Sequence, residues 1–311
     1  MNNHKPIYRQ IASRFSANTI GLVLALVATA LFSLKAIWIK LAYQHDIDPV
    51  SLMTLRMAFS LPIYLALAGF WWKQGRFTNK PIAGFALRAS IVGIAGYYLA
   101  SFLDLSGLQY ISAPLERVVL YAYPSFTILL AWLVYRQKPQ AIFVIALPLS
   151  WVGVALMMWH EASATQLSNN VALGTSLVVA SAFSFAVYLV FSKAIVSKIG
   201  SQAFTCIAMI AASLAIFVHY FLQNSSISLS AYPSQVYWYA LNMAIFSTVI
   251  PSFLFSEAIH RIGAQRTSIS GSAGPVFTLL MAVWILDEQV NIFQLIGIAL
   301  VVAAVALLNR K

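Results

Sequence analysis

Apolar and polar positions along the chain separate into ten long apolar runs joined by short polar connections, at about 18–43, 49–72, 82–103, 112–135, 139–159, 170–195, 202–222, 233–256, 264–286 and 290–309. At about 1.5 Å rise per residue, each run is long enough for a hydrocarbon core of about 30 Å. Only helices or closed barrels satisfy their backbone in lipid, and runs of this length are helices. The pattern predicts an all-α membrane protein of ten transmembrane helices.

The runs are written twice. When 263–286 is laid under 112–135, Pro275 falls under Pro124, and Ala264, Phe277, Thr278, Leu280 and Ala282 fall under Ala113, Phe126, Thr127, Leu129 and Ala131. The same offset of 151 carries Val305, Ala306 and Leu307 under Val154, Ala155 and Leu156. The match of the first run to the sixth is weaker. Residues 18–159 and 170–309 therefore read as two repeats of five helices, preceded by a polar, basic segment 1–17 on the cytoplasmic membrane surface.

Composition supports the membrane reading and removes others. The chain of 311 residues is 61% hydrophobic and 9% charged, against about a quarter charged in soluble domains. Its net charge of +11 is not a nucleic-acid footprint, because fifteen of the nineteen Lys and Arg fall in the N-terminus and alternate connections, while the other connections hold none. That asymmetry places both termini in the cytoplasm. An odd number of helices per repeat then makes the repeats inverted copies, an architecture of transporters with the substrate site between halves. The basic N-terminus reads as part of a retained first helix, not a cleaved signal. Cys206 lies in an apolar run and reads as a small buried hydrophobe, and no cofactor or metal site is expected.

The segments 107–135 and 258–308 resemble the EamA family of the drug/metabolite transporter superfamily. The second includes an acidic turn, Asp287 and Glu288, followed by Gln294 and Gly297. The resemblance covers nearly the whole chain. It implies a carrier of small metabolites in the bacterial inner membrane, often an exporter of amino acids or related compounds, working by alternating access, and it leaves the substrate open. The family's usual Gly-Glu turn after the fourth helix is replaced here by Tyr135, Arg136, Gln137, Lys138 and Pro139. Glu116 and Arg117 stand where the family often has small or neutral residues.

Lys35, Lys40, Arg56, Glu116, Arg117 and Glu257 are the acidic and basic residues that fall well inside the runs. A charge at a helix centre costs about 2.5–3.5 kcal/mol on insertion scales, so each needs a partner, a wet cavity or a reach to the interface. The orientation puts Lys35, Arg56, Glu116 and Arg117 roughly 6–12 Å below the outer surface. Lys35, Arg56 and Arg117 are expected to make a positive field in the outward part of the pathway, favouring a carboxylate. Glu116 either pairs with one of them, caps the helix dipole after Pro114, or carries a coupling proton. Lys40 is read as snorkelling, a reach that Arg56 shares. Glu257 is read as an interfacial partner of Arg261, with a proton relay to His260 as the alternative.

Most aromatics at run ends form interfacial belts. Trp38, Tyr98, Tyr121 and Tyr188 lie mid-run, where aromatic walls beside a cation would suit a substrate with an acid end and an apolar body. Ordinary packing is the alternative for each. Pro124 and Pro275 are symmetry mates that kink their helices, and with Gly274 they are the candidate hinge. The resulting expectation is a secondary carrier of carboxylate-bearing metabolites, monomeric or dimeric, in contact with lipid, a small-molecule substrate and a coupling proton, and not with nucleic acid. A multidrug or quaternary amine carrier of the same fold is the nearest alternative. An intramembrane enzyme is disfavoured because the five histidines are scattered and neither HExxH nor GxSxG occurs. A channel or receptor gives no reason for two opposed copies of a kinked helix.

Overall fold

The structure is a computed structural model that describes residues 17–77, 81–136, 142–165, 168–223, 229–271, 274–287 and 289–308. Most of the segment 1–17, Lys138, Pro139, Glu288 and the side chain of Ser268, all invoked above, lie outside the described residues. The repetitive structure among the described residues is helical. In chain order it comprises α1 (Ala17–Tyr43), α2 (Pro49–Lys73), α3 (Ile82–Leu108), α4 (Ala113–Leu120), α5 (Tyr123–Tyr135) and α6 (Phe143–Thr165). The second series is α7 (Ser168–Ile199), α8 (Ser201–Leu222), α9 (234–262), α10 (264–270), α11 (Gly274–Leu286) and α12 (Ile292–Leu308). Among the described residues, seven segments are long and apolar enough to cross a membrane, and two shorter apolar helices, Gly274–Leu286 and Ile292–Ala304, follow.

Two runs that read as single kinked helices are each a broken pair. The first breaks at Tyr121 and Ala122, where Ala122 N–H reaches back only three residues, to Val119 O (2.9 Å). Pro124 then sits in the first turn of α5. Its ring has no N–H to give and excludes the carbonyl four residues earlier, so α4 ends before it instead of bending through it. Pro275 occupies the same place at the start of α11. Both proline positions thus separate two rigid pieces, a more complete interruption than a kink.

Element boundaries follow the offset of 151 read from the sequence. A π-helical turn interrupts α3 at Ile94–Leu99 and another interrupts α9 at Ile245–Val249, beginning 151 residues later. Packing repeats as well. The first helix of each series lies on the third helix of the other, α1 on α9 and α7 on α3. It also lies on the fifth, α1 on α11 and α7 on α5, while α2 packs on α8 and α6 on α12. The halves are therefore interdigitated, and the space between them is walled by both.

Helix entries differ between the halves. Asp48 caps α2 by accepting from Val50 N–H and Ser51 N–H, each at 3.0 Å, with Pro49 pre-set for the first turn. Ser112 caps α4 through Leu115 N–H (3.3 Å). Its own N–H and hydroxyl both donate to the Glu161 carboxylate at the end of α6, at 2.6 Å each. The corresponding entries to α8 and α10 are made by Gly200 (φ 83°) and Gly263 (φ 81°), backbone conformations in which a Cβ is strained.

Helix 3 is longer than its apolar run. The run at 82–103 stops at the first acid, but α3 continues to Leu108, and Asp104 is buried within it (1% exposed). Asp104 is therefore part of a helix and not of the outer connection. The reason is electrostatic: an ammonium group waits for it on α1.

Candidate functional site

Close contacts set the walls of a central cavity. In α3, Gly96 approaches α7 so nearly that a Cβ there would stand 2.4 Å from the Tyr188 ring. Tyr188 is fully buried, and its hydroxyl meets that of Tyr97 at 3.0 Å, which fixes the Tyr97 ring. At the π turns of α3 and α9, helical hydrogen bonding slips by one residue and the backbone bulges, a feature common at functional sites. Gly96 and Tyr97 from one turn and Ser247 and Thr248 from the other line the cavity.

The cavity is lined by residues of both halves. Its two sides differ. The first half supplies Lys35, Arg56, Arg117 and Tyr121. The second supplies Ser181, Phe185, Ser247, Thr248 and Phe255. Phe32 joins the latter wall by packing edge-on to Phe255 at 5.7 Å, and Phe185 lies 5.8 Å from Phe255.

The three cations are in different circumstances. Lys35 Nζ donates to Asp104 Oδ2 at 2.5 Å. Arg117 is a strut: Nε donates to Thr278 Oγ1 on α11 (3.1 Å) and Nη2 to Phe32 O on α1 (2.7 Å). Its approach to Glu116 is long, 3.9 Å. Arg56 is 2% exposed, and its Nε has no acceptor among the described residues. A buried guanidinium N–H without an acceptor is costly, and this one belongs to a side chain that faces the cavity. Thr248 Oγ1, on the opposite wall, is also without a partner among the described residues. The arrangement offers a cation and a hydroxyl across an aromatic-walled space.

Of the residues singled out from sequence, Lys35, Arg56, Arg117 and Tyr121 line this cavity. Glu116 is fully buried behind it, and Tyr188 braces Tyr97 from outside the lining. Trp38 is turned away and stacks on Tyr239 at 5.9 Å. Tyr98 meets His219 Nδ1 at 3.1 Å, also away from it. Gly274 lies against Tyr121, where a Cβ would come within 2.0 Å of the hydroxyl, and Gly271 lies similarly against Tyr123 (2.4 Å). Near the other end of the cleft Glu257 accepts from Arg261 Nε (2.8 Å) and from Ser201 Oγ (2.5 Å). Cys206 is buried.

Sequence reasoning missed Asp104 and the phenylalanine wall. Asp104 had one signal: it sits in the continuing apolar pattern of Phe102, Leu103, Leu105 and Leu108. Phe32, Phe185 and Phe255 had none, because a cavity-facing Phe and a packed Phe look alike in one sequence.

Comparison with known proteins settles the family. The profile of the EamA-like transporter family matches residues 19–159 and again residues 172–310. The chain belongs to the EamA-like transporter family. The two matches span most of the two helical series. The chain is 28% identical over 292 residues to the uncharacterized transporter YcbK of Bacillus subtilis (strain 168), covering 92% of this chain and 91% of that one. It is 23% identical over 325 residues to the uncharacterized transporter sll1319 of Synechocystis sp. (strain ATCC 27184 / PCC 6803 / Kazusa), covering 95% of each. A solved crystal structure superposes with a TM-score of 0.70 at 16% identity, over 93% of this chain and 96% of the other, which extends the likeness to the fold. This EamA-like protein is a multi-pass membrane transporter of the drug/metabolite type.

Proposed function

We propose that this EamA-like protein is an alternating-access carrier of the bacterial inner membrane that exports small carboxylate-bearing metabolites, amino acids foremost. The observation that carries the substrate class is the Arg56 guanidinium, buried, facing the cavity and lacking an acceptor at Nε. A substrate carboxylate supplies that acceptor through a charge-assisted hydrogen bond. Thr248 completes the polar contacts, and Phe32, Phe185 and Phe255 enclose an apolar body.

Alternating access draws support from the duplicated packing. With α4 and α5 as one interrupted crossing, and α10 and α11 as another, each unit crosses the membrane five times, ten in all. The units are then inverted, and the absence of Lys and Arg from alternate connections puts both termini in the cytoplasm. The breaks before Pro124 and Pro275 are the hinges at which each half opens to its own side. A monomer holds the whole cavity. The quaternary amine reading is favoured by the aromatic wall, and opposed by the Lys35, Arg56 and Arg117 side chains on the facing side.

Purified protein in proteoliposomes preloaded with unlabelled L-amino acids should accelerate uptake of the labelled form of its substrate. A panel covering amino acids and their amides, with no acceleration by any member, overturns the reading.

A further inference from the structure

Two carboxyl groups meet behind the cavity, and the functional reading above does not use them. Asp104 on α3 and Glu116 on α4 are 1% and 0% exposed. They lie close enough to share a hydrogen bond once one of them carries a proton. As carboxylates they lack donors: Asp104 Oδ1 and both Glu116 oxygens have no hydrogen-bond partner among the described residues. Two ionised carboxylates out of water repel, and one proton between them replaces that repulsion with a bond.

The groups facing the pair decide how firmly the proton is held. From α1, Lys35 reaches Asp104 Oδ2 at 2.5 Å, and Tyr43 lies near enough to interact with Asp104. From α2, Arg56 acts on Asp104 at longer range. From α4 itself, Arg117 lies 3.9 Å from Glu116 and is anchored to Thr278 and to Phe32 O. Lys35 is hydrogen-bonded to the pair and also part of the cavity lining, with 13% of its side chain exposed. Arg117 lines the cavity too but is tied to Thr278 and Phe32 O, so Lys35 is the cation that an anion in the cavity draws off most readily.

We propose that Asp104 and Glu116 hold one exchangeable proton between them, and that Lys35 sets its occupancy, so that an anion drawing Lys35 into the cavity makes the pair bind the proton. The proposal rests on the reading of an anionic substrate. The charges balance: the substrate carboxylate takes over the ammonium, the carboxyl pair takes up one proton that enters with it from the bulk solution through cavity water, and the net charge of the site is unchanged. When the anion leaves, Lys35 returns to Asp104 and the proton is released to the side then open. Anion and proton travel together by linkage, without a separate gate for either. Intramembrane acids of transporters are commonly proton carriers, and the point specific to this chain is that the switch is a neighbouring lysine.

Infrared difference spectroscopy of the purified protein in nanodiscs, with no substrate present, reads the proton directly. A carbonyl band of a buried protonated carboxyl should appear as the pH is lowered, and Glu116→Gln should abolish it. In Lys35→Gln the band should persist to a pH about one unit or more higher, since the cation opposing protonation is gone. Should the variants not fold, heavy-carbon labelling of glutamate in the wild-type protein still tests the assignment, by moving the band. A wild-type protein without such a band, a band untouched by glutamate labelling, or one that Lys35→Gln leaves at the same pH overturns the proposal. The functional reading is separable: a Lys35-sensitive band in a protein that transports no carboxylate supports the proton site and removes the amino acid carrier.

Discussion

The interrupted helices α4–α5 and α10–α11 are two versions of one element, and their differences define this transporter. Both break ahead of a proline, Pro124 or Pro275. Position 123 is Tyr in the first copy and its counterpart 274 is Gly in the second. Tyr121 and Tyr123 of the first break lie on Gly274 and Gly271 of the second, so close that a Cβ on either glycine would collide with a tyrosine hydroxyl. One copy carries the bulk and the other gives the room. Shared sequence builds the break, and divergence lets the two breaks fit together between the halves.

The same division runs through the cavity. The first copy supplies Lys35, Arg56 and Arg117 to its lining, and Asp104 and Glu116 behind it. The second supplies Ser181, Phe185, Ser247, Thr248 and Phe255, and no charged side chain among the described lining residues. At the offset of 151, Phe255 stands where the first copy has Asp104 and Thr267 where it has Glu116. Duplication therefore left the scaffold symmetric and the chemistry one-sided.

Substitutions break this comparison at graded strength. The largest effect is expected at Gly274→Leu, which drives a side chain into the Tyr121 ring. It should cost about 3 kcal/mol or more, measured as a fall in the thermal unfolding midpoint in detergent. Tyr121→Ala in the same chain should recover part of that loss, and a double variant no better than the single would show that bulk and room are not matched across the breaks. Next, Glu161→Gln removes the carboxylate that receives both Ser112 donors and should cost about 1–2 kcal/mol by the same measurement. A midpoint unchanged by Glu161→Gln would mean that α4 needs no support from α6. Gly263→Ala, at the matching entry of the second copy, should cost about 1 kcal/mol because φ is positive there. The smallest change is Tyr188→Phe, which unties Tyr97 for about 1 kcal/mol or less. It should weaken substrate affinity severalfold with little change in the unfolding midpoint, and the opposite pattern would make Tyr188 a packing residue only.

The repeat and the disturbance at the two prolines were legible because they are local or periodic: the offset of 151 needs only residue identity, and Pro124 announces an irregularity by its chemistry. What a proline does to a helix in this fold was less legible. A kink and a break differ in whether the preceding turn has somewhere to go, and here Tyr121 goes into the space above Gly274. Arg56 was recognisable from its depth in an apolar run. That Arg117 is spent on Thr278 and the Phe32 carbonyl, while Arg56 is not, depends on contacts spanning 161 and 85 positions for Arg117. Trp38 and Tyr98 show the converse. Their mid-run positions suggested a place in the wall, with ordinary packing as the alternative, and in the structure they contact Tyr239 and His219.

The central claim is that Arg56 waits for a carboxylate, and counterflow by Arg56→Gln proteoliposomes tests it most directly. Loss of a charge-assisted hydrogen bond of about 2 kcal/mol predicts a fall of roughly thirtyfold in transport of a carboxylate substrate, with its amide much less affected. Equal loss for acid and amide, or no loss for either, would contradict the account.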